Sequence, residues 1–180
     1  THVFEVENTV DMVIEAGRQI MHERKERPMI SPFCPAVVRL IQVKYPSLVD
    51  NIMKVNPPIE MSAMYYREKL RLGGIPAGDI GLFYATPCAA KIAAVKSPVG
   101  EISSAIDGVI NMDFLYNRIL TYLQRKYTGT TPPETDDLLS SRGIVWSLTR
   151  GEAVHYPGRA LAIDGIRNVN EFLENIENEK

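Results

Sequence analysis

The first apolar positions to recur are Val10, Val13, Ile14, Gly17, Ile20 and Met21, at helical spacing behind Asn8 and Thr9, and they predict a helix from Val10 to Glu26. Pro28 breaks that pattern. Met29-Ile30-Ser31 then predicts a short buried strand running into a loop at Pro32-Phe33-Cys34-Pro35. Helical periodicity returns from Pro35, through Val37, Val38, Leu40, Ile41 and Val43, and stops at Tyr45-Pro46. A third helix is expected from Ser62 to Leu72, closed by Gly73-Gly74. Asp79 to Ala85 is an uninterrupted apolar run that predicts a fully buried strand, and the small residues from Thr86 to Ile92 open a short helix. Val109 to Met112 predicts another strand and Asp113 to Tyr127 an amphipathic helix capped by Asp113. Thr128 to Asp137, rich in proline and threonine, predicts a loop. A fourth strand at Ala160 to Ile163, a turn at Asp164-Gly165 and a helix from Val169 to Glu177 complete the pattern. Strands alternating with helices predict an α/β fold with mostly parallel sheets flanked by helices.

At 180 residues, 45% hydrophobic and 23% charged, one domain over 1–180 is expected, with a core large enough to need no staple. A net charge of −2 and no long basic run speak against nucleic acid as a partner. No apolar stretch is long enough for a membrane span and no signal peptide is evident, so no membrane and a cytoplasmic location are expected. Cys34 and Cys88 are too few and too far apart for a disulfide framework.

What the two cysteines share is their setting. Each follows a predicted strand, sits in a proline-containing turn and precedes a helix. A thiolate there faces unpaired backbone N–H groups and the positive end of the helix dipole, which favours the anion that metals require. The competing account is that each is a small buried hydrophobe, as free cysteines commonly are. His2, His22 and His155 show no ligand spacing, the run Glu23 to Arg27 is most simply a solvated face or loop, and no glycine pattern matches a phosphate-binding loop.

Two motifs go further. Pro28 to Leu40, PMISPFCPAVVRL, is similar to a P-M-F-T-S-C-C-P motif leading into a helix, and Thr86 to Lys91, TPCAAK, is similar to M-P-C-x-x-K. Between them, Tyr45-Pro46, Val55-Asn56-Pro57 and Met61 fall where a Y-P, a K-S-P and a methionine are expected. On these residues the chain resembles the [FeFe]-hydrogenases, in the catalytic domain of the large subunit, and the resemblance weakens after about Gly100. It implies a fold with two similar strand-Cys-helix units. It also implies a [4Fe–4S] cubane held by four cysteines, one bridging to a diiron centre that makes or oxidises dihydrogen, the two together forming the H-cluster. Cys34 and Cys88 match two of the cubane ligands, and their sulfurs are expected to converge on a concave side of the domain. Lys91 matches the lysine that donates to a cyanide on the diiron centre, a catalytic role. A ferredoxin-type electron carrier, or fused iron–sulfur domains, would be the partner.

The same resemblance implies a third motif, E-x-x-x-C-x-G-G-C, beyond Lys180. The chain is therefore expected to be a fragment missing a C-terminal segment, without a cluster and inactive alone. Other positions depart from the family. Phe33 stands where a proton-relaying cysteine is expected, Asn56 replaces the serine of K-S-P, and Thr86 replaces a methionine. Glu15 matches one relay glutamate while the other falls near Arg18, and Ser147 to Glu152 replaces an A-T-G-G-V-M-E segment. An apolar ring interrupts a proton relay, so the resemblance is closest to the divergent, sensory branch. Two alternatives stay open: a non-catalytic iron–sulfur assembly or scaffold protein, and a plain α/β binding domain with both cysteines in its core.

Overall fold

A computed structural model of the chain describes residues 2–25, 27–97, 103–126 and 139–179. The helices are α1 (Val10–Glu23), α2 (Pro35–Lys44), α3 (Pro58–Leu72), α4 (Ala89–Lys96), α5 (Met112–Lys126), α6 (Ser141–Trp146) and α7 (Ile166–Asn178); the strands are β1 (Phe83–Thr86) and β2 (Gly108–Asn111). The architecture is mixed α/β, with β1 and β2 paired in parallel from Phe83 opposite Gly108 to Thr86 opposite Asn111. The chain divides into two compact units. The first comprises residues 1–62 and 139–180, the second residues 63–138, so the boundary falls within α3.

In the first unit Val10, Val13 and Ile14 of α1 are fully buried, and α1 packs on α6. A second cluster joins Ile41 and Tyr45, at and just after the end of α2, to Leu48 and to Leu173 of α7, with Ile30, Val37, Leu40, Ile52, Val169 and Ile176 around it. These are the apolar faces that the helical periodicity marks out, brought together because each covers the other from water. The Tyr45 hydroxyl donates to Asn170 Oδ1 at 2.9 Å and so keeps its polar end satisfied.

The first helix stops at Glu23, short of its expected end. Arg24 takes an extended backbone, and its guanidinium donates to the carbonyls of Asp50 (2.5 Å) and Ile52 (3.1 Å). Arg24 and Arg27 are thus tied to backbone carbonyls rather than forming a simple solvated run, Arg27 donating to Arg24 O and Met21 O. Met29-Ile30-Ser31 forms one parallel bridge, Ile30 with Ile52, rather than a full strand. Ala160–Ile163 forms no strand, because no neighbouring edge among the described residues pairs with it. The helix that follows begins earlier than expected, at Ile166, behind Gly165 with its positive φ of 83°.

In the second unit α3 starts at Pro58, since proline suits a first helical position, and ends as the glycines predict. Gly74 adopts a φ of 92° and Ile75 N–H reaches back to Leu70 O at 3.2 Å. The run from Asp79 to Ala85 is not one buried strand. It holds a 3-10 turn (Ala77–Asp79) and only then β1, with Phe83 66% exposed. The cause is local. Arg67 donates to Ile80 O (3.0 Å), Ala105 O (3.1 Å) and the Asp107 carboxylate (2.6 Å), and that carboxylate accepts from Leu82 N–H at 2.7 Å. Backbone groups a ladder would use are therefore held by side chains. At α5 the cap is Asn111, not Asp113: its Oδ1 accepts from Asp113 N–H at 2.8 Å and Phe114 N–H at 3.4 Å. The expected loop from Thr128 to Asp137 lies outside the described residues.

Candidate metal-ligating loops

Cys34 lies in the first unit and Cys88 in the second, and their surroundings repeat feature by feature. Each precedes a helix as its N-cap, Cys34 for α2 and Cys88 for α4. Their backbones are nearly alike, with φ −103° and ψ 103° at Cys34, and φ −85° and ψ 109° at Cys88. The Cys34 carbonyl accepts from Val38 N–H and the Cys88 carbonyl from Ile92 N–H, both at 3.0 Å. Neither thiol hydrogen-bonds to its helix as a cap. Both are free, Cys34 exposed and Cys88 half-buried, so neither is a fully buried core residue.

Before each cysteine a hydroxyl fixes the turn. Ser31 Oγ accepts from Phe33 N–H at 3.3 Å, and Thr86 Oγ1 accepts from Cys88 N–H at 3.2 Å. In both cases the side chain bonds the backbone two residues on, the geometry of a serine or threonine turn. The segments leading in also have parallel neighbours, Ile30 bonding to the backbone on either side of Ile52, and β1 pairing with β2. The sequence marks the prolines and the cysteines but not these hydroxyls. Serine and threonine are common in any loop, and their turn-forming role shows only in the bond.

Lys91 is the third residue of α4, one turn beyond Cys88, and half-buried. The first turn of α4 contains no acidic residue, and no ion pair to Lys91 occurs among the described residues. A cation at the positive end of a helix opposes the dipole, so this position gains from an anion close by. Among the described residues no group of three or more His, Cys, Asp and Glu could hold a metal ion. The 180 residues hold two cysteines, which fit as half the thiolates of a cubane and not as a complete set.

Phe33 packs its ring on Trp146 at 5.5 Å between centroids and 53° between planes, and Trp146 stacks on His155 at 6.3 Å and 14°. Sequence reasoning meets Glu152 only as the end of the Ser147 to Glu152 segment and links neither it nor His155 and Tyr156 to the Cys34 loop. Burial pushes the Glu152 carboxyl above the usual carboxylate range, and the Ser31 hydroxyl draws it back. Of the two positions weighed as relay carboxylates, Glu15 is exposed and pairs with Arg18 at 3.2 Å and with Arg142 at 3.1 Å.

A family model described as the iron-only hydrogenase large subunit, C-terminal domain, matches residues 1–142. The chain belongs to this family. No curated protein matches it. The matched stretch contains both cysteine loops and Lys91, and the family assignment carries with it an oxidoreductase setting in which iron–sulfur cofactors belong to the parent enzyme. No helix among the described residues is long and apolar enough to cross a membrane.

Proposed function

We propose that this hydrogenase-family chain is the ligand-bearing part of an iron–sulfur oxidoreductase that makes, oxidises or senses dihydrogen. In this reading Cys34 and Cys88 supply two of four thiolates to one [4Fe–4S] cubane. The other two come from a further cysteine motif of the same polypeptide. When bound, the cubane and its diiron partner supply the electron transfer and the hydrogen chemistry. The residues of this chain hold, orient and shield them. Lys91 binds an anionic ligand of the diiron centre from the first turn of α4, where its charge otherwise meets only the positive helix end. Electrons arrive from a ferredoxin-type carrier or a fused iron–sulfur domain. On this reading the 180 residues alone are one partial domain without turnover.

The observation that carries the reading is the duplicated loop: hydroxyl, turn, cysteine at the helix N-cap with its thiol uncommitted, helix. Thiolates are the soft ligands iron–sulfur clusters take, and both thiols stand uncommitted after hydroxyl-braced turns at helix starts. Phe33 favours sensing over rapid turnover, since an aromatic ring neither accepts nor donates a proton.

The chain has no other cysteine, so the test is direct. A short bis-electrophile that fluoresces only after bridging two thiols is expected to link Cys34 to Cys88 within one molecule. Cys34→Ser and Cys88→Ser should each abolish the signal. Labelling of both thiols without any bridge would overturn the shared site. Anaerobic loading of a polypeptide extended through the next cysteine motif should then give a visible cluster absorbance that either variant loses.

A further inference from the structure

The two cysteine loops are alike in form but not in support. The Cys88 loop follows β1, whose four residues pair along β2, and its turn hydroxyl belongs to Thr86, which is 2% exposed. The Cys34 loop follows a single bridge, Ile30 with Ile52, and its turn hydroxyl belongs to the half-buried Ser31. What it has instead is an aromatic contact beside the ligand: Phe33 packs on Trp146 at 5.5 Å between centroids. The residues flanking Cys88, Pro87 and Ala89, carry no aromatic ring. Trp146 is itself held from several directions. It closes α6, which Arg142 ties to Asp11 (3.3 Å) and Glu15 (3.1 Å) of α1, and a Cβ at Gly143 would meet Glu7 O at 2.9 Å. The chain beyond returns over it, since a Cβ at Gly151 would run into the carbonyls of Val145 and Trp146. His155 stacks on the indole, and its Nε2 is shielded from water with no hydrogen-bond partner, so the imidazole is used there for its face. The turn carrying His155 rests on α1: Arg18 Nε donates to His155 O at 3.0 Å, and a Cβ at Gly17 would meet the Tyr156 hydroxyl oxygen at 2.5 Å.

We propose that Trp146 is a positioning residue for the metal-ligating loop: through the ring of Phe33 it holds the Cys34 thiol in place for iron. The inference rests on the metal-site reading above. Trp146 lies outside the matched stretch, which ends at residue 142, so nothing in the family match assigns it. A cysteine serves as a ligand only while its backbone keeps the sulfur where the metal is. One bridge and one hydroxyl bond of 3.3 Å leave the peptide ahead of Cys34 free to swing. Tilted aromatic pairs at this separation attract beyond the area they bury, and this one joins the loop to a part of the first unit that α1 fixes. Phe33 thus has a task of its own, because a small residue at that position would leave the indole without a ring to hold. Cys88 needs no such brace, since the ladder of β1 on β2 already fixes the peptide that leads into it.

Hydrogen exchange on the 180-residue chain reads the brace without any metal. Trp146→Leu should speed exchange at the Val38 amide, which donates to the Cys34 carbonyl, by about 2–10-fold, as the loss of one aromatic pair implies. The Ile92 amide, which donates to the Cys88 carbonyl, should not change. Trp146→Phe keeps a ring and should recover most of the protection. Phe33→Leu should reproduce the effect from the other side of the contact, and combining it with Trp146→Leu should add little, since the contact is already gone. Fully additive effects, or equal loosening at Ile92, would overturn the proposal. Where Trp146→Leu does not fold, Phe33→Leu alone carries the comparison of Val38 with Ile92, and an unchanged Val38 overturns it. In the loaded, extended polypeptide, Trp146→Leu should lower the chelator concentration that strips half of the cluster iron by about 10–100-fold, the usual loss when a residue that orients a ligand is removed, and Trp146→Phe should restore it. Iron retention indifferent to Trp146→Leu would overturn the coupling to the metal. If the two thiols bridge while Val38 is indifferent, the brace alone falls; if Val38 responds and the thiols never bridge, the shared metal site falls and takes the positioning role with it.

Discussion

Glu152 shows what a single side chain can reveal about a fold whose family is known. Burial raises its carboxyl, so the folded chain holds this proton more tightly than the unfolded chain does. Its contribution to stability is complete at pH below the ordinary carboxylate range. It is lost as pH rises from that range through the raised value, because the unfolded chain ionises first. Glu152→Gln cannot ionise, so in chemical denaturation it should match the parent in acid and exceed it near neutral pH. Equal stability across the whole range would show the carboxyl to be well solvated. The settings of Cys34 and Cys88 were legible, because a proline-flanked thiol ahead of a helix is written along the chain, whereas Lys91 stood out only through the resemblance to the family. Ser31, Thr86, His155 and Tyr156 were not legible. Their roles come from what folds against them, and a hydroxyl in a loop looks the same whether it closes a turn or faces water.

Elements followed the apolar period where they bury a face, and departed from it where side chains capture the backbone. α2, whose apolar face packs in the core, lies within about a residue of its expected bounds; α5 does so as well behind its Asn111 cap, although its described side chains are almost all exposed. β1 is shorter than its apolar run because Arg67 and Asp107 hold the groups around Ile80 and Leu82. The Leu82 N–H first, and Arg67 second, hold the Asp107 carboxyl below its usual range. It is 46% exposed, which limits its worth. Asp107→Asn should cost about 1 kcal/mol at neutral pH, since one charged acceptor of two donors is weakened at a solvated site. That difference should shrink as pH falls through the lowered value, where the parent's carboxyl also becomes neutral. Thermal melts of the pair at neutral and acid pH check both statements, and a loss that does not diminish in acid would point to packing instead of charge.

At the scale of the molecule, the first unit is assembled from both ends of the chain, with α7 completing a core begun by α2. That discontinuity has no sequence signature, since each helix shows its apolar face without naming its partner. Leu173 is 3% exposed and packs with Ile41, Tyr45 and Leu48. Leu173→Ala should cost about 2–5 kcal/mol, the usual range for emptying a leucine site in a core. Hydrogen exchange should rise in α2 as well as α7, although they are far apart in sequence. Faster exchange confined to α7 would mean that its docking does not support the helix behind Cys34.

The same arrangement sets an order of events during synthesis. Tyr45 meets Asn170, its hydrogen-bonding partner, 125 residues later in the chain. At ribosomal speeds of about 5–20 residues per second, that is a wait of roughly 6–25 s with Ile41 and Leu48 uncovered. A nascent chain in this interval presents a sticky helix beside an oxidisable thiol, and is a natural client for a holding chaperone. Docking of the late helix therefore completes the support behind the Cys34 loop only when the chain is nearly finished.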